Sequence, residues 1–392
     1  MAVDAGLGSF RYGGLGGYIV RLVRGLAAMP GYEVTALVPT HCMDHNELGV
    51  LPEGSRVVPV DVGRDASDFY DRRAYWEQEV LPATLASGDY DAYFGPTLVL
   101  PLEWPGPKIV AVHDLAFEVA PDFNTPLSTA FYSRWARASA EAADGVIAIS
   151  QATANDLKQR WGISGTVSVT PLASCLDFVP ADREQSARLV NEAFGVEAPF
   201  ALNVGGNFPR KNLRRLLKAA GKADVFRAQH KLVIVVPYQP EAVIGQVRDL
   251  GLDASVEIVG YCPPDLLPHL YTAAQFFVYP SLFEGFGLPP LEALQCGTPV
   301  AVSDREPFHE VLGEGKAVYF DPTDIDDIAA ALDRLSTDYD LRTALAESGP
   351  ARAALYSWAN TIAGTARVIS RVAAGWAPPA ARVAPCDRRG LA

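Results

Sequence analysis

Two α/β domains, each built on a parallel sheet and facing the other across a cleft, are the fold class this sequence predicts, and three observations predict it. Short runs rich in β-branched and aromatic residues alternate with longer helical stretches, the pattern of parallel sheets covered by helices. At 392 residues the chain exceeds what one hydrophobic core usually fills, and a prior of roughly 150 residues per domain suggests two. Each half also carries a glycine-punctuated turn leading from a strand into a helix, where open α/β sheets bind ligands.

In the first half the strand runs are Val34–Val38, Ala92–Phe94, Ile109–Val112 and Val146–Ile149. Met1-Ala2-Val3-Asp4 gives almost no apolar run before the glycines begin, a first strand that reads as missing a few residues. In the second half the runs are Ala201–Val204, Leu232–Val236, Val256–Ile258, Phe276–Tyr279 and Val300–Val302. Helical stretches such as Ser128–Ala143 and Leu213–Ala223 have the length that a parallel crossover needs. After Thr170-Pro171 strand character stops and charge appears (Asp182, Arg183, Glu184), which places the connection between about Ala173 and Pro199. The expected organisation is two Rossmann-like domains, residues 1–185 and 186–358, then a helix over 359–376. The tail 377–392, with Pro378, Pro379 and Pro385, reads as loosely ordered.

Composition excludes several functions. Hydrophobic residues make up 49% and charged residues 20%, which suits a packed globular protein and not a disordered one. A net charge of −13 opposes nucleic-acid binding, which rests on clustered Lys and Arg. The dense basic run Arg210, Lys211, Arg214, Arg215 and Lys218 therefore points to a small, local anion site. The five cysteines are scattered without a C-x-x-C pair, which fits reduced thiols in the cytoplasm. No apolar run is long enough to span a bilayer, and no basic-then-apolar leader opens the chain. The helix from about Tyr18 to Met29, with Arg21 and Arg24 beside apolar residues, leaves peripheral contact with the inner face of a membrane open.

The strongest motif runs from Tyr279 through Glu284-Gly285-Phe286-Gly287-Leu288-Pro289-Pro290-Leu291-Glu292 to Gly297-Thr298-Pro299. A strand ends at Tyr279, a glycine-rich loop follows, and the prolines suit the first turn of a helix that Gly297 closes. Glu284 and Glu292 can face one pocket, where carboxylates accept hydrogen bonds from sugar hydroxyls. The helix N-terminus beside them can hold a diphosphate. The second motif, Val204-Gly205-Gly206-Asn207-Phe208-Pro209-Arg210-Lys211-Asn212, brings two cations to a glycine turn where phosphate charge would sit. In the first half Tyr12-Gly13-Gly14-Leu15-Gly16-Gly17 opens a helix, and His113-Asp114 and Ser150 each follow a strand.

With these segments the chain resembles the retaining glycosyltransferases of family four, which have the GT-B fold and an E-x7-E signature. The resemblance extends through Val302-Ser303-Asp304, Glu310-Val311 and Asp321-Pro322-Thr323-Asp324. It implies that Glu284 contacts the transferred sugar and Glu292 the ribose, with Gly285, Phe286, Gly287 and Leu288 lining the donor. Lys211 and Arg210 match the P-R-K-N phosphate segment, with Gly205 and Gly206 beside it. The first-half glycine loop implies Gly16 and Gly17 at the donor and Tyr12 and Gly14 on the acceptor side. His113 would hydrogen-bond the sugar, Ser150 would stand at the acceptor side, and Gly260-Tyr261 would read the donor base. Family members often have arginine where Gly17 stands and where Gly206 or Asn207 stands, so acceptor and phosphate recognition depart from the pattern there. The resemblance further implies retention of configuration and a nucleotide-diphosphate sugar as co-substrate. GDP-mannose is favoured over a UDP-hexose, with a glycan, a lipid-linked sugar or a small molecule as acceptor. Residues from Ser357-Trp358 onward resemble the final helix that crosses back over the first domain.

Two other classes fit less well. A nicotinamide-dependent oxidoreductase needs G-x-G-x-x-G after a full strand, and the third glycine is absent after Gly14-x-Gly16. A non-catalytic sugar-nucleotide sensor would bind donor without forming product. No metal or other cofactor is expected. His41, Cys42, Asp44 and His45 lack a second ligand cluster. The D-x-D pairs Asp89/Asp91, Asp324/Asp326 and Asp338/Asp340 lie away from the carboxyl ends of strands, where a diphosphate-bound ion would sit.

Overall fold

The computed structural model describes residues 1–9, 13–63 and 68–376. Tyr12 and the tail 377–392 lie outside these. The first sheet comprises β1 (Ala2–Asp4), β2 (Thr35–Pro39), β3 (Arg56–Val60), β4 (Tyr93–Gly95), β5 (Lys108–Val112), β6 (Gly145–Ala148) and β7 (Val167–Val169). Its order is β3-β2-β1-β4-β5-β6-β7, and every pairing is parallel. The second comprises β8 (Phe200–Val204), β9 (Lys231–Val235), β10 (Val256–Val259), β11 (Phe276–Tyr279), β12 (Val300–Ser303) and β13 (Val318–Phe320). Its order is β10-β9-β8-β11-β12-β13, again all parallel. The strand order reverses between β1 and β4 and between β8 and β11. Both reversals open a crevice at the strands' carboxyl ends.

Strand position explains which runs stand out in the sequence. β1 is short but central: Ala2 pairs with both Thr35 and Tyr93, and Ala2 and Val3 are fully buried. Neighbours on both sides satisfy its backbone, so it needs no long apolar run. β3, β7 and β13 were not among the expected strands, and each is a sheet edge. Edge strands need cover on fewer sides: RVVPV and VSV are mixed in character, and VYF is only three residues long. Pro59 of β3, which donates no ladder bond, is tolerated at such an edge.

The helix Gly13–Ala27 buries Tyr18, Ile19, Leu22, Val23 and Leu26 on the first sheet. Each such burial contributes about 1.5–3 kcal/mol. Its arginines are held by backbone carbonyls: Arg21 Nη2 donates to Cys175 O at 2.5 Å and Arg24 Nε to Leu48 O at 2.9 Å. The apolar face of this helix is thus core, which removes the feature that suggested membrane contact. Among the described residues no helix is long and apolar enough to cross a membrane. The last helix, Trp358–Gly375, packs back onto the Gly13–Ala27 helix and the first sheet. A Cβ at Gly25 would stand 2.1 Å from Ile362 Cδ1, so glycine is what lets the two helices cross this closely. Trp358 Nε1 donates to Ser174 O at 2.8 Å, and Thr361 Oγ1 to Pro171 O at 2.7 Å, fixing where the chain re-enters.

Candidate active site

The loop after β11 forms one wall of the cleft. Gly287, with φ of 95°, turns the chain into the helix Leu288–Gln295, whose first turn holds Pro289 and Pro290. Proline suits that turn because its missing N–H would be unpaired there anyway. On the loop, Glu284 is bracketed by cations: Arg210 Nη1 lies 2.8 Å from Oε2 and Lys211 Nζ 2.6 Å from Oε1. Ser281 Oγ donates to Oε1 at 2.6 Å, and the Tyr279 hydroxyl does so at 3.1 Å. Burial alone would push this carboxyl up. Lys211 and Arg210, with hydrogen bonds from Lys211 and Ser281, overcome it and hold the pKa down at about 2.

The two cations arrive on the turn Pro209–Lys211 after β8. Asn212, which ends that turn at φ of 59°, is a residue type that tolerates the left-handed region. Its Nδ2 donates to Pro280 O at 3.0 Å and to Pro322 O at 2.7 Å, pinning the turn to the loops after β11 and β13. Leu282 N donates to Arg210 O at 2.8 Å, which ties the two loops together directly.

A cavity of about 510 Å³ lies between the domains, lined on the second-domain side by Arg210, Lys211, Glu284 to Pro289, and Glu292. His113, Asp114, Gly14, Asn124 and Tyr132 face it from the first domain. His113 Nε2 meets Pro96 O at 2.8 Å. A carbonyl only accepts, so Nε2 carries the proton and Nδ1 is left as an acceptor. Burial lowers the His113 pKa, which favours the neutral ring.

Contacts across the cleft are backbone-tight. Ser150 caps the helix Gln151–Asp156, and its Oγ donates to Gly285 O at 2.6 Å. Glu310, from the second domain, accepts from Gln151 N at 2.8 Å and Ala152 N at 3.1 Å, placing a carboxylate on the positive end of that helix. The Glu310 backbone is itself held by Tyr356, whose hydroxyl donates to Glu310 O at 2.9 Å.

Comparison with known proteins agrees with this geometry. The family model Glycosyltransferase Family 4 matches residues 12–173, and Glycosyl transferases group 1 matches residues 188–352. The two meet at the cleft. The chain belongs to glycosyltransferase family four. The glycosyltransferase is 29% identical over 272 residues to O-antigen chain mannosyltransferase B of Escherichia coli, covering 68% of this chain and 71% of that one. It is 32% identical over 232 residues to the serotype-specific mannosyltransferase WbdA of Escherichia coli, over 56% of this chain but only 28% of that protein. Its fold superposes on sucrose-phosphate synthase from Thermosynechococcus elongatus with a TM-score of 0.78 at 21% identity, covering 96% and 99% of the two chains. The fold is GT-B.

The glycosyltransferase brings many of the expected site residues into one cavity: Gly14, His113, Arg210, Lys211, Glu284, Gly285, Phe286, Gly287, Leu288 and Glu292. Others lie elsewhere. Gly16 and Gly17 are buried within the first helix, and a Cβ at Gly16 would stand 1.8 Å from Ser9 O, so backbone packing accounts for that glycine. Gly205 and Gly206 lie behind Lys211, off the cavity lining, and a Cβ at Gly206 would meet the Phe208 ring at 2.5 Å. Gly260 and Tyr261 follow β10, the strand farthest from β11 on that side of the sheet, and Tyr261 is exposed. Asn124, Tyr132 and the Glu310 clasp had no sequence signal beyond the resemblance around Glu310. In two of the D-x-D pairs the first aspartate caps a helix, Asp324 and Asp338. His41–His45 lies on a short 3-10 turn, and among the described residues no cluster of three His, Cys, Asp or Glu could hold a metal ion.

Glu292 accepts from the Tyr271 hydroxyl at 2.9 Å, and burial, opposed by that bond, pushes its pKa up to about 7. If its carboxylate receives the ribose hydroxyls, nucleoside diphosphate affinity should rise about tenfold between pH 6 and 8 as Glu292 ionises. Stability should move the other way. A folded pKa above the unfolded value stabilises at low pH, and that contribution fades as pH rises from about 4.5 through 7. Titration calorimetry of Glu292→Gln checks this: its affinity should be flat across that range, and an unaltered slope would reject the assignment.

Proposed function

We propose that this glycosyltransferase moves mannose from GDP-mannose to a saccharide-bearing acceptor, with retention of configuration and without a divalent metal. The observation that carries the chemistry is the Arg210–Glu284–Lys211 cluster opposite His113 in one interdomain cavity. Lys211, Arg210 and the N-terminus of the helix Leu288–Gln295 would support negative charge on the departing diphosphate, a preorganised stabilisation that needs no ion. Glu284, kept ionised, and His113 Nδ1 would accept hydrogen bonds from the sugar's hydroxyls while the acceptor attacks from the same face. Mannose rests on the mannosyltransferase relatives, and UDP-glucose is the competing donor. Reduced cysteines fit a cytoplasmic setting, and Cys175, Cys262 and Cys296 are free thiols.

A thermal-shift panel of GDP-, UDP-, dTDP- and ADP-sugars tests the donor, since a ligand at 100 times its dissociation constant stabilises by about 2.7 kcal/mol. GDP-mannose should give the largest shift. Transfer from that donor should show a retained α-linkage by NMR and run at the same rate in excess EDTA. A larger shift with UDP-glucose overturns the donor. Activity lost in EDTA and restored by magnesium or manganese overturns the metal-free mechanism.

A further inference from the structure

We propose that Arg73, which does not line the cavity, is a positioning residue for His113: it clamps the turn after β4 whose Pro96 carbonyl holds the imidazole with its proton on Nε2 and its acceptor on Nδ1. This rests on the reading above, in which Nδ1 accepts from a hydroxyl of the transferred sugar, and adds what keeps that nitrogen an acceptor. The two nitrogens of a neutral imidazole differ only as long as something outside the ring decides which one carries the proton. The deciding bond here runs between Nε2 and Pro96 O at 2.8 Å. A displaced Pro96 would therefore release both the tautomer and the orientation of the ring.

The turn 96–98 does not hold its shape unaided. Leu98 has a φ of 67°, in the left-handed region that a leucine adopts only where its surroundings enforce it. Two ties enforce it. Leu98 N donates to Ala111 O at 3.0 Å, on β5 two residues before His113. Arg73 Nη2 donates to Thr97 O at 2.6 Å and to Thr97 Oγ1 at 2.7 Å. Thr97 is buried, so losing the guanidinium would leave its carbonyl without a partner among the described residues. The ring of His113 is confined from its other side by Tyr18, edge-on with centroids 5.0 Å apart and planes at 88°.

Arg73 is held rigidly enough for this task. Nε donates to Glu77 Oε1 at 2.9 Å, one helical turn on, and Nη1 donates to the Tyr132 hydroxyl at 2.8 Å. The guanidinium also lies over the rings of Phe131 and Tyr132, 5.2 and 5.5 Å from their centroids. Arg73 and Glu77 are both buried, and a buried ion pair often holds a fold no better than apolar side chains of the same volume. What apolar side chains cannot do is aim fixed donors at one backbone turn. The charge works in the same sense as the clamp: burial chiefly lowers the His113 pKa and the Arg73 cation adds to it, against the Pro96 bond and Asp114. Both favour an unprotonated Nδ1.

Long-range proton–nitrogen NMR correlations of protein isotope-labelled at its histidine nitrogens report the tautomer, and His113→Ala assigns the His113 signals among the six histidines. The parent should show His113 protonated at Nε2 and bare at Nδ1. Arg73→Met alone would strand Glu77, so it is paired with Glu77→Gln. That double variant should populate both tautomers, with kcat down about tenfold for the donor that the thermal-shift panel selects and affinity for its nucleoside diphosphate within about twofold of the parent. Arg73→Lys keeps a cation and one donor for Thr97 O, and should restore the Nε2 tautomer with kcat within about threefold of the parent. Thr97→Val removes only Oγ1 from the clamp and decides the matter if the double variant does not fold: the second tautomer should appear at about a tenth or more, with kcat down about threefold. An Nδ1-protonated His113 in the parent would overturn the proposal. So would the parental tautomer in every folded variant, even with a lowered melting temperature, because Arg73 would then be purely structural. A His113→Ala enzyme with the parental kcat refutes instead the sugar contact in the proposed function, and the positioning role falls with it even where the NMR shows Arg73 setting the tautomer, so the two failures are read apart.

Discussion

Lys211→Ala should lower kcat/KM for the donor by about tenfold to more than a hundredfold, the effect of losing a charge-assisted hydrogen bond worth roughly 1.5–3 kcal/mol. Lys211 is 14% exposed at the side chain and bonds both Glu284 Oε1, at 2.6 Å, and the Tyr279 hydroxyl. On the proposed function its ammonium would have two tasks, one toward the donor's phosphates and one toward the carboxylate that would face the sugar. Removing it leaves Glu284 with Arg210, Ser281 and Tyr279, so the carboxyl pKa should climb from about 2 toward the ordinary range. Lys211→Arg keeps the charge but changes its reach, and should recover part of the loss. Glu284→Gln separates the two tasks: turnover should fall further than GDP affinity, because the amide no longer offers a charged acceptor to the sugar while both phosphate cations remain. Steady-state kinetics beside GDP titrations decide between these. A folded Lys211→Ala protein with unaltered donor affinity and rate would remove Lys211 from the site.

The sequence made the second-domain wall legible because its chemistry is local. Glu284, Gly287, Leu288 and Glu292 sit within one loop and one helical turn, and Arg210 and Lys211 within another, so spacing groups each set locally and the family resemblance implies that the two sets share a wall. Interior strands were legible for a similar reason, since burial on both faces leaves a continuous apolar run. The edge strands β3 and β7 escaped because half-exposure lets their sequences drift, and β13 because three residues make too short a run. The first-domain wall was less legible. His113 and Asp114 follow a clear strand, but Asn124 and Tyr132 lie in a turn and a helix with no motif, and only tertiary packing brings them to the cavity. Glycine was the least reliable guide, because its absent side chain serves backbone as readily as ligand. Gly14 meets the cavity, whereas Gly16 is needed by Ser9 and Gly25 by Ile362.

Gly285→Ala should reduce kcat/KM by about a hundredfold, the scale on which a displacement near 1 Å degrades an assembled active site. A Cβ at this position would stand 2.0 Å from His113 O, 3.0 Å from His113 C and 2.9 Å from Asp114 Cβ. Two of these are backbone atoms at the end of β5, which cannot step aside as the tip of a flexible side chain can. The same shift would stretch the bond from Ser150 Oγ to Gly285 O and draw Glu310 away from Gln151 N and Ala152 N. Gly285 is not among the glycines with positive φ, so alanine suits its backbone, and the conflict lies between the domains rather than within either. Each domain should then fold normally, and GDP should bind with little change, since Lys211, Arg210 and Glu292 all belong to the second domain. What fails is closure, which brings His113 and the first-domain wall to the donor. Gly287→Ala provides the contrast: its φ of 95° and the Phe308 ring 2.8 Å from a new Cβ place strain inside the second domain, so that variant should lose thermal stability as well. Small-angle scattering should show Gly285→Ala with a larger radius of gyration than the parent when both hold GDP. A Gly285→Ala enzyme with the parent's kcat/KM and the parent's compactness would mean that the contact between Gly285 and His113 is not part of the catalytic arrangement.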